Sequence, residues 1–208
     1  MTAKTDLAES LSKSGYLHLT DTGLEELDTI LDRLGKLVSV TDIEEQPAST
    51  LYIHSRREIP FHNEGPAARY LLWYCMEPAN DGGDTVLVPA IEVERQLSTA
   101  TLQMLGRTHC WLHNPLGPPT THPILVEHGS LPVWCYVPWA LSGDMTDHQQ
   151  EAVSKLEVAL NRSDSFCFRM KSRDLVVLDN HRVFHRRTGY TGKRLIRRFL
   201  ATDAMDAT

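Results

Sequence analysis

The chain is poor in the features that would place it in several large protein classes. It has only four cysteines in 208 residues, Cys75, Cys110, Cys135 and Cys167, and none of them forms a C-x-x-C pair. That spacing argues against a zinc knuckle and a compact disulfide framework. Each cysteine sits beside apolar or aromatic residues, so buried free thiols in a reducing cytoplasm are expected. Long apolar runs are missing, and Met1-Thr2-Ala3-Lys4-Thr5-Asp6 carries no signal-type apolar stretch. Neither a membrane span nor a signal peptide is expected. Positive charge is the minority sign: 21 Lys and Arg against 27 Asp and Glu give a net charge of −6. That balance speaks against a nucleic-acid partner. There is no internal repeat and no Gly-rich phosphate loop after the first predicted strand, which argues against a doubly wound parallel sheet.

What is present suits one domain, 1–208, with a sizeable core. An N-terminal strand and helix region (1–49) is expected to precede a β core (50–200) and a frayed tail (201–208). Tyr16-Leu17-His18-Leu19 reads as a strand. Leu24, Leu27, Ile30, Leu31 and Leu34 recur at helical spacing, which predicts a packing helix from about Thr22 to Gly35 with Asp21 or Thr22 as cap. From Leu51 the chain turns β-like. Tyr70 to Met76 and Thr85 to Val88 flank the tight turn Asp81-Gly82-Gly83-Asp84. A helix is expected over 91–105, irregular chain over 115–123, a hairpin around His128-Gly129-Ser130, and a helix capped by Thr146-Asp147 that ends near Leu160. Phe166 to Met170, Leu175 to Leu178 and Leu195 to Leu200 complete the strands. Short strands with a few outer helices predict a mainly β fold, a sandwich or jelly roll with flanking helices.

Two segments carry chemistry. Pro60-Phe61-His62-Asn63-Glu64 supplies a His-x-Glu, and Asp179-Asn180-His181-Arg182-Val183-Phe184-His185 supplies a distant His. Along a strand, residues two apart share a face, so His62 and Glu64 can face one interior while Asn63 faces out. Two histidines and one carboxylate form the facial triad that leaves open positions on a non-haem Fe(II). By itself the dipeptide is weak, because 10 His and 27 acidic residues make a chance His-x-Glu easy.

The order of motifs is more specific. His62-x-Glu64, Glu77-Pro78 with Gly82-Gly83-Asp84-Thr85, Asp179-Asn180-x-Arg182-x-x-His185 and Arg194-x-x-x-Arg198 follow one another. His122-Pro123 and the stretch to Trp134 fit the same series. From about Tyr16 to Leu200, the chain resembles the taurine dioxygenase (TauD/TfdA-like) and clavaminate synthase-like superfamily of Fe(II)- and 2-oxoglutarate-dependent oxygenases. The resemblance implies a double-stranded β-helix (jelly-roll) core with His62, Glu64 and His185 as iron ligands. Thr85 and Arg194 match the residues that hold the distal carboxylate of the cosubstrate 2-oxoglutarate. A guanidinium forks onto a carboxylate, which suits Arg for that role. Arg198 matches a second arginine that in some members holds an anionic group of the substrate. Arg194 lies nine residues after His185, fewer than usual in the family, and Arg198 lies thirteen after it; Arg198 therefore stands as the alternative cosubstrate arginine. Related halogenases lack the carboxylate ligand, so Glu64 argues against halogenation and leans toward the clavaminate branch.

The implied activity consumes O2 and 2-oxoglutarate, releases succinate and CO2, and oxidises a C–H bond, by default to a hydroxyl. A small anionic or amino-acid-like metabolite is the expected substrate, with a role in natural-product biosynthesis. Asn180 and Arg182 are expected to set the backbone approach to His185. Tyr52, Trp73, Trp134 and Trp139 are candidates for pocket walls or core, and His113, His122 and His181 for surface or supporting groups. Because the chain is short between Thr85 and His185, the pocket is expected to be open or completed by a homo-oligomer or a carrier-protein partner. Two rival readings remain: a cupin-type metalloenzyme that needs the triad but not Thr85 and Arg194, and a non-catalytic small-molecule-binding jelly roll.

Overall fold

The apolar strand segments of the sequence bury both of their faces, and this sets the layering of the molecule. In the computed structural model, which describes residues 7–112, 120–128 and 131–202, the chain opens with α1 (Leu7–Ser14), β1 (Tyr16–Leu19), α2 (Leu24–Leu34) and β2 (Lys36–Ile43). A 3-10 turn at Tyr52–His54 leads to β3 (Ile59–His62), β4 (Tyr70–Glu77), β5 (Asp81–Gly82) and β6 (Thr85–Pro89). Next come α3 (Ala90–Glu94), α4 (Thr99–Leu105), β7 (His109–Leu112), β8 (Thr120–Pro123), β9 (Leu125–His128) and β10 (Leu131–Trp134). The long helix α5 (Asp147–Arg162) precedes β11 (Phe166–Phe168), β12 (Leu175–Asp179), β13 (Val183–Arg187), β14 (Tyr190–Thr191) and β15 (Leu195–Thr202).

Five strands pair in the order β1-β12-β4-β15-β2 and four in the order β11-β6-β13-β3, all antiparallel. The sheets pack face to face as a jelly roll with helices outside both. Alternation along each strand assigns its residues to layers. In β4, Leu71 and Cys75 point between the sheets with Leu87, Val176, Leu178, Val183 and Ile196. Leu72 and Tyr74 point the other way, against Leu27, Ile30 and Leu34 of α2. On the far side, Val86, Val88 and Phe184 meet Val153, Leu156 and Leu160 of α5. Helix α5 begins with the expected Thr146, which forms a reciprocal capping box with Gln149.

Several expectations need correction. The predicted helix over 91–105 is two short ones, because Ser98 caps a fresh start at Thr99. Helix α2 begins after Gly23 without a side-chain cap. Thr120–Pro123 is not irregular but pairs with β7. Cys167 is exposed, whereas Cys75, Cys110 and Cys135 are buried. His113 and the turn at Gly129-Ser130 lie outside the described residues. Among the described residues no helix is long and apolar enough to cross a membrane.

Candidate active site

The register of β3 against β13 sets His62 opposite His185. His62 ends its strand and Glu64 lies just beyond it, yet one ligand atom each from His62, Glu64 and His185 can be drawn within 4.8 Å of the other two. Asn180 keeps Glu64 in place outside the sheet. Its Oδ1 accepts from the Glu64 amide at 2.8 Å, and its Nδ2 donates to the carbonyls of Ala68 at 2.8 Å and Glu64 at 3.3 Å. The Asn63 side chain donates to the carbonyls of Asn180 and Val183 at 2.8 and 3.0 Å. Asn63 is therefore buried, pointing away from the triad but not out to solvent as the strand pattern suggested. Asn180 orients the carboxylate ligand's segment rather than His185. Arg182 is not at the site either: it donates to the carbonyls of Leu11 and Ser12 and fastens the end of α1. His181 approaches the Pro66 carbonyl at 2.9 Å and helps hold the same loop. His122 contacts only its neighbour's carbonyl, that of Pro123.

The histidines have the chemistry that a cation needs. His62 Nδ1 lies 2.8 Å from the Pro60 carbonyl. A carbonyl can only accept, so the proton sits on Nδ1 and the lone pair is on Nε2. Among the described residues neither buried ring nitrogen of His185 has a hydrogen-bond partner, an arrangement that native structures rarely tolerate without a ligand. Burial holds both imidazoles below the ordinary histidine value, His185 well below it. Both are therefore neutral, as metal ligation requires. The donor set of two neutral imidazoles and a carboxylate fits Fe(II).

A cavity is lined by the triad with Trp73, Thr85, Arg187 and Arg194. Thr85 follows the turn at Gly82 and Gly83, both at positive φ (72° and 70°). A side chain at Gly82 would collide with the Gly189 carbonyl, so glycine is needed there. Arg194 is half-buried and forms no ion pair or hydrogen bond among the described residues; its guanidinium stands 5.7 Å from the Tyr190 ring centre. Burial lowers its pKa, because charge without a counter-charge is disfavoured there. An anionic ligand would relieve that penalty.

Arg198, the alternative cosubstrate arginine, is engaged elsewhere: its Nη1 lies 2.7 Å from Glu64 Oε1. Arg187 was not anticipated, though it follows His185 by two on the same strand face. It pairs in register with Thr85 and donates to the carbonyls of Ser55 and Arg57 at 2.5 and 2.7 Å. Burial pushes its pKa down to about 10. Of the aromatic candidates, Trp73 packs edge-on against His185 with ring centres 5.0 Å apart. Trp139 lies 4.9 Å from the His62 ring and stacks on Tyr52 at 4.8 Å. Trp134 is core, fully buried with Nε1 donating to Glu94.

The sequence profile of the taurine catabolism dioxygenase TauD, TfdA family matches residues 24–200. The chain belongs to this family. It is thus a dioxygenase of the TauD/TfdA type, and the jelly roll agrees with that membership. No curated protein matches it significantly in sequence. Among solved structures it is similar to an asparagine oxygenase in complex with Fe(II), 2S,3S-3-hydroxyasparagine and succinate, with 18% identity, a TM-score of 0.80, and cover of 95% of this chain and 78% of that one. The non-heme iron oxygenase OrfP in complex with Fe, succinate and (3S)-hydroxy-L-Arg has 15% identity, a TM-score of 0.74, and cover of 98% and 83%. PvcB from Pseudomonas aeruginosa has 20% identity, a TM-score of 0.69, and cover of 94% and 78%; it is described as an Fe, α-ketoglutarate dependent oxygenase from an isonitrile synthetic pathway. At these identities the likeness establishes the fold.

Proposed function

We propose that this TauD/TfdA-family chain is an Fe(II)- and 2-oxoglutarate-dependent hydroxylase of a small amino-acid-like metabolite. The observation that carries the reading is the unpartnered, buried imidazole of His185 facing His62 and Glu64, in one cavity with the uncompensated Arg194. A cupin-type site would have no use for that guanidinium beside Thr85, and a plain binding domain would have no use for the triad. Iron, with 2-oxoglutarate and O2, supplies the oxidising equivalent that converts C–H to C–OH and leaves succinate and CO2.

The residues divide the remaining work. His62 and His185 offer neutral nitrogen lone pairs, and Glu64 brings the one negative charge. Arg194 forks onto the distal carboxylate of 2-oxoglutarate while the Thr85 hydroxyl donates to it. Trp73, packed on His185, keeps water and bulk away from that ligand. Arg187 ties segment 55–57 to β13 at the rim. Trp139 beside His62, with Tyr52 stacked on it, offers an exposed aromatic wall for the substrate. The neighbours that hold hydroxylated asparagine and hydroxylated arginine favour an amino acid or a carrier-bound aminoacyl group. A second copy or a carrier domain would close the open side.

The test is succinate formation from Fe(II), 2-oxoglutarate and O2 across a panel of free and carrier-linked amino acids. Substrate-dependent succinate with a product heavier by one oxygen is the expected result. Absence of any 2-oxoglutarate turnover, coupled or uncoupled, in the iron-loaded protein would count against the reading.

A further inference from the structure

Arg198 is expected from its place in the motif to anchor an anionic group of the substrate. The contacts say otherwise. Its Nη1 lies 2.7 Å from Glu64 Oε1, and its side chain is only 11% exposed against 21% for Glu64. Its Nε is buried without a partner. In the register of the five-stranded sheet Arg198 stands opposite Trp73, the same Trp73 that packs against His185. The guanidinium thus meets a ligand's carboxylate, on a strand position that faces the ligand's aromatic neighbour in register. The guanidiniums that line the cavity are placed differently: Arg194 meets no anion among the described residues, Arg187 is spent on the carbonyls of Ser55 and Arg57, and Arg186 pairs with Glu58.

We propose that Arg198 is a positioning residue for Glu64. By holding Oε1 it fixes the carboxylate rotamer and leaves Oε2 to meet the metal through one oxygen. This contact commits Nη1 to a metal ligand, so the guanidinium is not left whole for an anionic substrate group. The inference rests on the iron reading of the triad. Glu64 lies past the end of β3, where no strand pairing steadies its side chain. Asn180 secures its backbone, and Arg198 is what secures its carboxylate. Partners of this kind typically change metal affinity by about 10- to 100-fold when removed.

The test is anaerobic titration of the apoprotein with Fe(II), and with Co(II) as a spectroscopic stand-in, for wild type, Arg198→Ala, Arg198→Lys, Arg194→Ala, Glu64→Ala and the double variant Arg198→Ala with Glu64→Ala. The expected result is a loss of roughly tenfold or more in metal affinity for Arg198→Ala with altered Co(II) ligand-field bands. Partial recovery is expected in Arg198→Lys, and no loss in Arg194→Ala. In the Glu64→Ala background, Arg198→Ala should have no further effect. Wild-type affinity and unchanged Co(II) bands in a folded Arg198→Ala protein would overturn the proposal and return Arg198 to the substrate. An equal loss in the Glu64→Ala background would also overturn it. If the wild type itself binds neither metal, the iron reading fails instead, which keeps the two failures apart.

Discussion

Single residues decide whether the cavity is a cosubstrate pocket. Arg194 is half-buried with no anion partner among the described residues, and Thr85 shares its cavity. Truncating one partner of a buried charge pair costs about 2–5 kcal/mol. Arg194→Ala is therefore expected to weaken 2-oxoglutarate by roughly thirtyfold or more, with Fe(II) affinity unchanged; titration of each ligand separately checks this. Equal weakening of both would mean that Arg194 supports the fold rather than the cosubstrate. Thr85→Val removes one hydroxyl bond and should have a smaller effect, about 1 kcal/mol. The sequence pointed to Thr85 and Arg194, and the fold sets both in one cavity with the triad. The engagement of Arg198 was not legible in the sequence, since spacing along a strand says which face an arginine shares but not which carboxylate it meets.

At the scale of elements, the loop after β3 is the mechanical part of the site. Asn180 makes side-chain bonds to both sides of that loop while fully buried. Asn180→Ala leaves the part-buried Glu64 amide and the buried Ala68 carbonyl unpaired, which is expected to destabilise the fold by about 1–3 kcal/mol and to weaken Fe(II) through Glu64. Chemical denaturation and metal titration of the same variant measure both. Wild-type stability would show that water replaces the asparagine. Long periodic elements were readable: α2 and α5 follow their apolar spacing, and β4, β6 and β12 their apolar runs. Strand β2 was missed because it is an edge strand with Leu37, Val38 and Val40 exposed, which leaves no inward stripe to detect. The break between α3 and α4 was missed because the apolar spacing continues across Gln96-Leu97, and only the Ser98 cap marks the restart. Arg182 was misread because its partners lie in α1, more than 150 positions away in sequence, a pairing that no local pattern encodes.

For the whole molecule, charge pairs at the periphery contribute to the acid limb of stability. Arg197 forks onto Asp42 and joins β15 to β2, while Arg169 bonds Asp84 beside the glycine turn. In both cases the arginine hydrogen bond holds the carboxyl below its ordinary value. A depressed folded pKa means that the stabilisation is complete above the unfolded value near 4 and is lost as pH falls through the folded value. The pairs are largely exposed, so each effect is small. Arg169→Ala and Arg197→Ala should each flatten the dependence of melting temperature on pH below about 4, where an unchanged acid limb would contradict the assignment. Ligands act in the opposite sense: a cosubstrate at about 100 times its Kd adds about 2.7 kcal/mol to the stability of the folded state.

The central claim is that one cavity holds iron on His62, Glu64 and His185 and 2-oxoglutarate on Arg194. Anaerobic visible absorption of the Fe(II)-loaded protein tests it most directly, with 2-oxoglutarate added last. The account predicts a weak charge-transfer band that appears only with 2-oxoglutarate, needs far more of it in Arg194→Ala, and is absent in His185→Ala. Iron bound at full occupancy with no band at saturating 2-oxoglutarate would contradict the account.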